Sequence, residues 1–227
     1  EALKNASSGA AYSTAFGYNS LKTATGGANA AFGHRTLEAL TTGSHNTVMG
    51  GEYATGAALT TGSYNTFIGS DCARWMTTGE KNVAIGYETM KGSGAPKQNV
   101  AIGWQSGYYL TDSGNGGDNG KNNTFVGTNA GTGVTTGHNN LLLGFNAGYS
   151  SNPAGYVDTG SDIVCLGDNS ISDFYCADTS ISSSDKRDKT DVTDFTHGLK
   201  WVEQLKPITY RWDKRTWYHE YNEDGTV

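Results

Sequence analysis

A short frame, Asn followed by three mainly apolar residues and a Gly, recurs through the first three quarters of the chain and sharply limits what it can fold into. The clearest copy closes the octet Gly62-Ser63-Tyr64-Asn65-Thr66-Phe67-Ile68-Gly69. Others run from Asn29 to Gly33, Asn46 to Gly50, Asn82 to Gly86, Asn99 to Gly103, Asn123 to Gly127 and Asn140 to Gly144. A degenerate first copy ends at Gly17, and a late one, Ile163-Val164-Cys165-Leu166, ends at Gly167. The steps between closing glycines are 16, 17, 19, 17, 17, 24, 17 and 23 residues, which is a period of 17 with insertions. One short apolar strand per fixed period is the pattern of a solenoid, where each unit stacks on its neighbours and cannot bury its face alone.

An ordinary half-exposed strand alternates apolar with polar residues. Here Val83-Ala84-Ile85, Val100-Ala101-Ile102 and Leu141-Leu142-Leu143 are apolar throughout. One face fills the inside of the coil, and the other needs a cover. The simplest cover for a repeated surface is the same surface on another copy of the chain. Gly suits a corner because it tolerates positive φ, and an Asn amide can bond nearby backbone or its counterpart on the next rung. The asparagines therefore read as structural rather than catalytic.

Glycine-rich, apolar-poor composition is one mark of a disordered chain. The chain has 32 glycines in 227 residues and 36% hydrophobic content, yet the regular β-branched triplets argue for a thin β fold. The net charge is -6, and eight basic residues are spread over positions 1 to 180. That leaves no basic stripe for nucleic acid. No apolar run approaches the roughly 20 residues of a membrane helix, so no membrane insertion is expected. Cys72, Cys165 and Cys176 have no metal-ligand spacing, and an odd count makes no disulfide framework. Free buried thiols are expected. The chain begins at Glu1 without an initiator Met or signal peptide, and on this reading is a fragment whose attachment region lies elsewhere.

Residues 1–12, rich in Ala and Ser, read as a connector or a frayed first rung, and residues 13–180 as the solenoid. Thr-Thr-Gly steps such as Thr41-Thr42-Gly43 and Thr60-Thr61-Gly62 lead into each Asn. The stretch after each closing Gly, such as Tyr87-Glu88-Thr89-Met90, is expected to form the second side of the coil. The longest insertion, around residues 108–120, carries Asp112, Asn115, Asp118 and Asn119 in an order that matches neither the twelve-residue helix-loop-helix calcium loop nor a clean glycine-aspartate nonapeptide. No metal or other cofactor is expected. His34, His45 and His138 lie near corners without companions at ligand spacing, and no carboxylate pair, Glu80 and Glu88 included, stands out as a glycosidase pair. Loops on a rigid scaffold are where binding variation lives, so Trp75, Trp104, Tyr108 and Tyr109 are the candidate sugar-stacking or receptor contacts.

Around position 180 the composition breaks. The last 47 residues hold two glycines, 17 charged residues and three of the five tryptophans, and a second domain, residues 181–227, begins there. A short helix is expected over Gly198 to Leu205, stopped by Pro207. An alternating strand, Ile208, Tyr210 and Trp212 against Thr209 and Arg211, follows it.

The run Ser184-Asp185-x-Arg187-x-Lys189, with Leu205-Lys206-Pro207-Ile208-Thr209-Tyr210-Arg211-Trp212 downstream, resembles the start of the intramolecular chaperone, or auto-processing, domain at the C-termini of phage endosialidases, tailspikes and tail fibres. The Asn-x-x-x-Gly rungs resemble repeats of tail-fibre proteins and, more distantly, the β-roll heads of trimeric bacterial adhesins. The resemblance implies a Ser-Lys dyad, with Ser184 as nucleophile and Lys189 as its general base, supported by Asp185 and Arg187. A serine hydroxyl is a poor nucleophile until a neighbour takes its proton, and lysine does so only when burial or nearby positive charge lowers its pKa. The implied reaction is one self-cleavage beside Ser184.

The expected protein is thus all-β, an elongated β-solenoid or β-roll forming a homotrimeric stalk, with a small α+β C-terminal segment. The resemblance implies a virion tail fibre assembled in the host cytoplasm, with other tail proteins and a host-surface glycan or protein receptor as partners. A bacterial cell-surface trimeric adhesin and a polysaccharide depolymerase tailspike are the alternatives.

Overall fold

The computed structural model describes residues 2–175, apart from 6–7, 52, 93, 113–116 and 150–153. The helix and strand expected within residues 198–212 lie outside the described residues. The chain divides into one unit over Glu1–Phe174 and a second over Tyr175–Val227.

The first unit is an all-β parallel solenoid. Its nine strands are the predicted triplets: β1 (Thr14–Phe16), β2 (Ala30–Phe32), β3 (Thr47–Met49), β4 (Thr66–Ile68), β5 (Val83–Ile85), β6 (Val100–Ile102), β7 (Thr124–Val126), β8 (Leu141–Leu143) and β9 (Val164–Leu166). They form one sheet in chain order, every pairing parallel. Triplets meet residue for residue even across the longer steps, with Met49 opposite Ile68, Ile102 opposite Val126 and Leu143 opposite Leu166. Insertions are absorbed away from the strands because a one-residue slip would turn the buried centre of a strand outward. Upstream of β1, the Leu3 and Asn5 amides donate to the carbonyls of Ser20 and Lys22, extending the stacking by part of a turn.

The central residue of each strand from β2 to β9 points into the coil and is buried: Ala31, Val48, Phe67, Ala84, Ala101, Phe125, Leu142 and Cys165. Their volumes vary widely, and the facing turn compensates. Beside the large centres, the column four residues after the closing glycine holds glycine. A Cβ on Gly107 or Gly131 would come within 2.9 or 2.7 Å of the Phe125 ring, and one on Gly148 within 2.5 Å of Leu142. Next to the alanine centres the same column holds buried Leu21, Leu37 and Met90. Close packing thus holds from rung to rung although no single position is constant.

Asparagines 29, 46, 65, 82, 99, 123 and 140 form a buried ladder. The Asn65 carboxamide oxygen accepts from the Asn82 backbone N–H at 3.0 Å and from its Nδ2 at 3.1 Å, while Asn82 Nδ2 also donates to the Pro96 carbonyl at 2.8 Å. The pattern repeats along the coil. Ser13 Oγ occupies the position before the first asparagine and accepts from the Asn29 amide, and Ile163, with no carboxamide, ends the series. Buried polar groups are tolerated when so fully paired.

The corners use left-handed backbone at ordinary residues. Positive φ recurs at the residue before each Asn (His45, Tyr64, Lys81, Gln98) and at the second and fourth residues after the closing Gly (Glu88 and Met90). Each such residue costs about 1–2 kcal/mol, so one rung alone is unfavourable and only the stack sustains it. The closing glycines are stricter still. Gly86 has φ of 136°, and a Cβ there would fall on the Gly103 carbonyl oxygen of the next rung.

Candidate functional site

The stretch after each closing glycine forms the second wall, as its composition predicts, and its backbone also bonds rung to rung. The Ala39 amide donates to the Ala57 carbonyl, Ala58 to Arg74, Gly92 to Tyr108 and Tyr109 to Thr132. This stacks Glu38, Ala57, Arg74, Lys91 and Tyr108 in one column and Ala39, Ala58, Trp75, Gly92 and Tyr109 in the next. Three of the four sequence-predicted contacts, Trp75, Tyr108 and Tyr109, therefore share one wall, two rungs apart. Tyr108 and Tyr109 meet edge to face at 4.6 Å. Trp104 follows its closing glycine directly and lies at the corner instead, half-exposed like Tyr87.

An ion cluster on this wall was signalled in the sequence only by the three-residue spacing of Asp71 with Arg74 and of Glu88 with Lys91. Asp71 is buried and accepts from Lys91 at 2.5 Å and Arg74 at 3.0 Å; Glu88 accepts from Lys91 at 2.6 Å and from Gln105 at 2.6 Å. Burial alone would raise the Glu88 pKa, but the hydrogen bonds from Lys91 and Gln105 bring it below its ordinary value. Burial likewise works against the Lys91 charge, yet its bonds to Asp71 and Glu88 hold its pKa above the usual lysine range. Arg74 lies 4.5 Å over the Trp75 ring and Lys91 5.7 Å over that of Tyr108. Asp71 and Arg74, like Glu88 and Lys91, stand three residues apart in one turn, but the links from Lys91 to Asp71 and from Gln105 to Glu88 join successive rungs, so only stacking reveals the whole cluster.

Next to this cluster the wall is notched. Ala54, Ala57 and Ala58 of one turn sit between Arg35, Glu38 and Ala39 of the turn before and Arg74 and Trp75 of the turn after, enclosing about 350 Å³. Arg35 pairs with Glu38, whose other oxygen accepts from Asn19.

The histidines split between two roles. His34 stacks on Tyr18 at 5.5 Å and His45 on Tyr64 at 4.9 Å. His138 Nδ1 lies 2.8 Å from Ser161 Oγ, a pairing that resembles catalysis. However, that oxygen also accepts from the His138 backbone amide, as Ser63 Oγ does from Ser44. It is a repeated corner bond. Among the described residues no group of three or more His, Cys, Asp or Glu is placed to hold a metal ion. Burial pushes the Cys72 thiol well above its ordinary pKa, which makes it a poor nucleophile, and Cys165 is also a buried free cysteine. Glu80 pairs with Lys97 at 3.6 Å. Asn115 and Cys176 lie outside the described residues. No helix among those residues is long and apolar enough to cross a membrane.

Ser184, Asp185, Arg187 and Lys189 also lie outside the described residues. Residues 184–226 match the family model described as chaperone of endosialidase. No curated protein and no solved structure matches the chain.

Proposed function

We propose that the chain is the stalk of a homotrimeric phage tail fibre or tail appendage, which presents its turn wall to a host-surface receptor and carries a self-cleaving trimerisation chaperone segment. The match of residues 184–226 to the chaperone of endosialidase is the observation that carries this reading. The strand wall supports it. The last residue of every strand faces outward and is apolar: Phe16, Phe32, Met49, Ile68, Ile85, Ile102, Val126, Leu143 and Leu166. Several of these are exposed in the single chain, from 36% at Ile102 to 74% at Phe16. Successive rungs are about 4.8 Å apart, so the column is a continuous apolar stripe, too large an exposed surface for a soluble monomer. Other copies of the chain, carrying the same column at the same spacing, cover it in register.

A stalk of this kind folds through non-local pairings and exposes strand edges on the way. A C-terminal domain that associates first raises the effective concentration of the chains and sets their register. Cleavage then separates the stalk from its folding aid and leaves it held by a barrier rather than by an equilibrium. In that step Ser184 Oγ attacks the adjacent peptide carbonyl, and Lys189 takes the hydroxyl proton and delivers it to the departing amine. Water then hydrolyses the resulting ester, which frees the carboxylate and restores the Ser184 hydroxyl; Arg187 keeps Lys189 neutral enough to act. Asp185 orients the pair. Assembly takes place in the host cytoplasm and the product resides in the virion.

Mass spectrometry of the full-length gene product tests the chemistry: the wild type is cut beside Ser184, whereas Ser184→Ala and Lys189→Ala remain whole. A wild type that stays intact removes the dyad. Sedimentation tests the assembly. The wild type runs as a trimer and Ile102→Asp as a smaller species, and a monomeric wild type ends the reading.

A further inference from the structure

The alanine notch is a ligand site, and we infer that it takes a pyranose unit bearing a carboxylate, such as a hexuronic acid of a surface polysaccharide. This rests on the receptor-binding reading above and names the chemistry of the contact. Three observations carry it. First, the notch is built by substitution within one turn: where the neighbouring turns place Arg35, Glu38, Arg74 and Trp75, this turn places only Ala54, Ala57 and Ala58. The resulting space of about 350 Å³ falls in the roughly 300–1,000 Å³ range of small-molecule clefts.

Second, the lining suits a sugar ring. Trp75 is half-exposed and held by Arg74 stacked 4.5 Å from its ring centroid, which fixes its position before any ligand arrives. A flat indole beside alanine methyls matches the C–H face of a pyranose, and the polar residues match its oxygen rim. Third, the polar residues are mainly donors. Arg35 and Arg74 stand one turn to either side of the notch, about 10 Å apart along the coil. Each uses one nitrogen in a carboxylate pair, to Glu38 and Asp71, and a guanidinium has further N–H groups that take a carboxylate in a fork. The notch has two cations and a single carboxylate, Glu38, in its lining, the Asp71 partner of Arg74 not being one of the lining residues. With one carboxylate it lacks the pair that glycoside hydrolysis requires, so it binds without cutting.

Calorimetric titration of the full-length chain with an oligomer of glucuronic acid, beside a glucose oligomer of equal length, tests the inference. The acidic oligomer is expected to bind at least about tenfold more tightly than the neutral one. Trp75→Ala weakens the acidic oligomer by about tenfold or more, Arg35→Gln removes the preference over the neutral one, and Ala57→Leu abolishes binding by filling the notch. Thermal melts establish that each variant is folded. Equal binding of the two oligomers, no binding of either at about 10 mM, or an undiminished Ala57→Leu variant overturns the inference. Adhesion assays on bacterial cells separate the two readings. Equal adhesion by wild type and Ala57→Leu sinks the notch and spares receptor binding; uronate binding without adhesion does the reverse.

Discussion

The strand wall and the turn wall of the solenoid are built from the same seventeen-residue period under opposite constraints. On the strand wall every triplet has the same depth, the same register and an apolar residue at its outward end. On the turn wall the equivalent outward column reads Glu38, Ala57, Arg74, Lys91, Tyr108. The strand wall must match its neighbour above, its neighbour below and, on the proposed reading, two other chains. Outward residues of the turn wall meet only one another and solvent, so they are free to specialise. The ion cluster at Asp71 and the notch beside it are what that freedom produced.

Substitutions can break this contrast, beginning where it is sharpest. Gly86→Ala places a methyl on the Gly103 carbonyl at a φ few L-residues adopt. We expect a loss of about 4 kcal/mol or more in urea unfolding, against less than about 0.5 kcal/mol for Gly51→Ala, where the nearest atom is 3.8 Å away. Asn82→Ala takes the Oδ1 acceptor from the Asn99 backbone N–H and the Nδ2 donor from the Pro96 carbonyl, and should cost about 3 kcal/mol. Thr60→Ala, which deletes an exposed corner bond to Thr77, should cost under about 1 kcal/mol.

The ion cluster gives a smaller, pH-dependent effect. Because the Glu88 pKa is lowered on folding, its contribution is present above the ordinary glutamate value, about 4.3, and is lost as pH falls through the folded one. Because the Lys91 pKa is raised, its contribution is present below the ordinary lysine value, about 10.4, and is lost as pH rises through the folded one. Melting temperature should thus plateau between these limits. Glu88→Gln should flatten the acid limb by about 1 kcal/mol and shrink the alkaline limb without removing it, because Asp71 still faces Lys91. The least effect belongs to Tyr109→Ala, half-exposed on the turn wall; its melting curve should shift by less than about 0.5 kcal/mol, and a larger loss would make this wall structural after all.

The sequence was readable where the constraint is local. Asn-x-x-x-Gly marked seven of the nine strands, and the degenerate copies ending at Gly17 and Gly167 marked the other two, because an apolar triplet closed by a corner glycine at a fixed period has few other uses. The left-handed corners at His45, Tyr64 and Met90 were not readable, since nothing in those side chains asks for positive φ and only the stacked backbone compels it. The split of Trp75, Tyr108 and Tyr109 from Trp104 was equally hidden. All four are aromatic residues after a closing glycine, and their offsets from it acquire meaning only once the turns are superposed.

What the sequence determined by itself was the period, and through it the solenoid, the strand register and the position of the insertions, because a repeat of seventeen with one buried centre per turn leaves the chain one way to stack. What only the tertiary structure decided was which residues of successive turns become neighbours. Lys91 meets Asp71, and three alanines open a notch between Arg35 and Arg74, since side chains some twenty or more residues apart in sequence come together only when rungs are laid one on another.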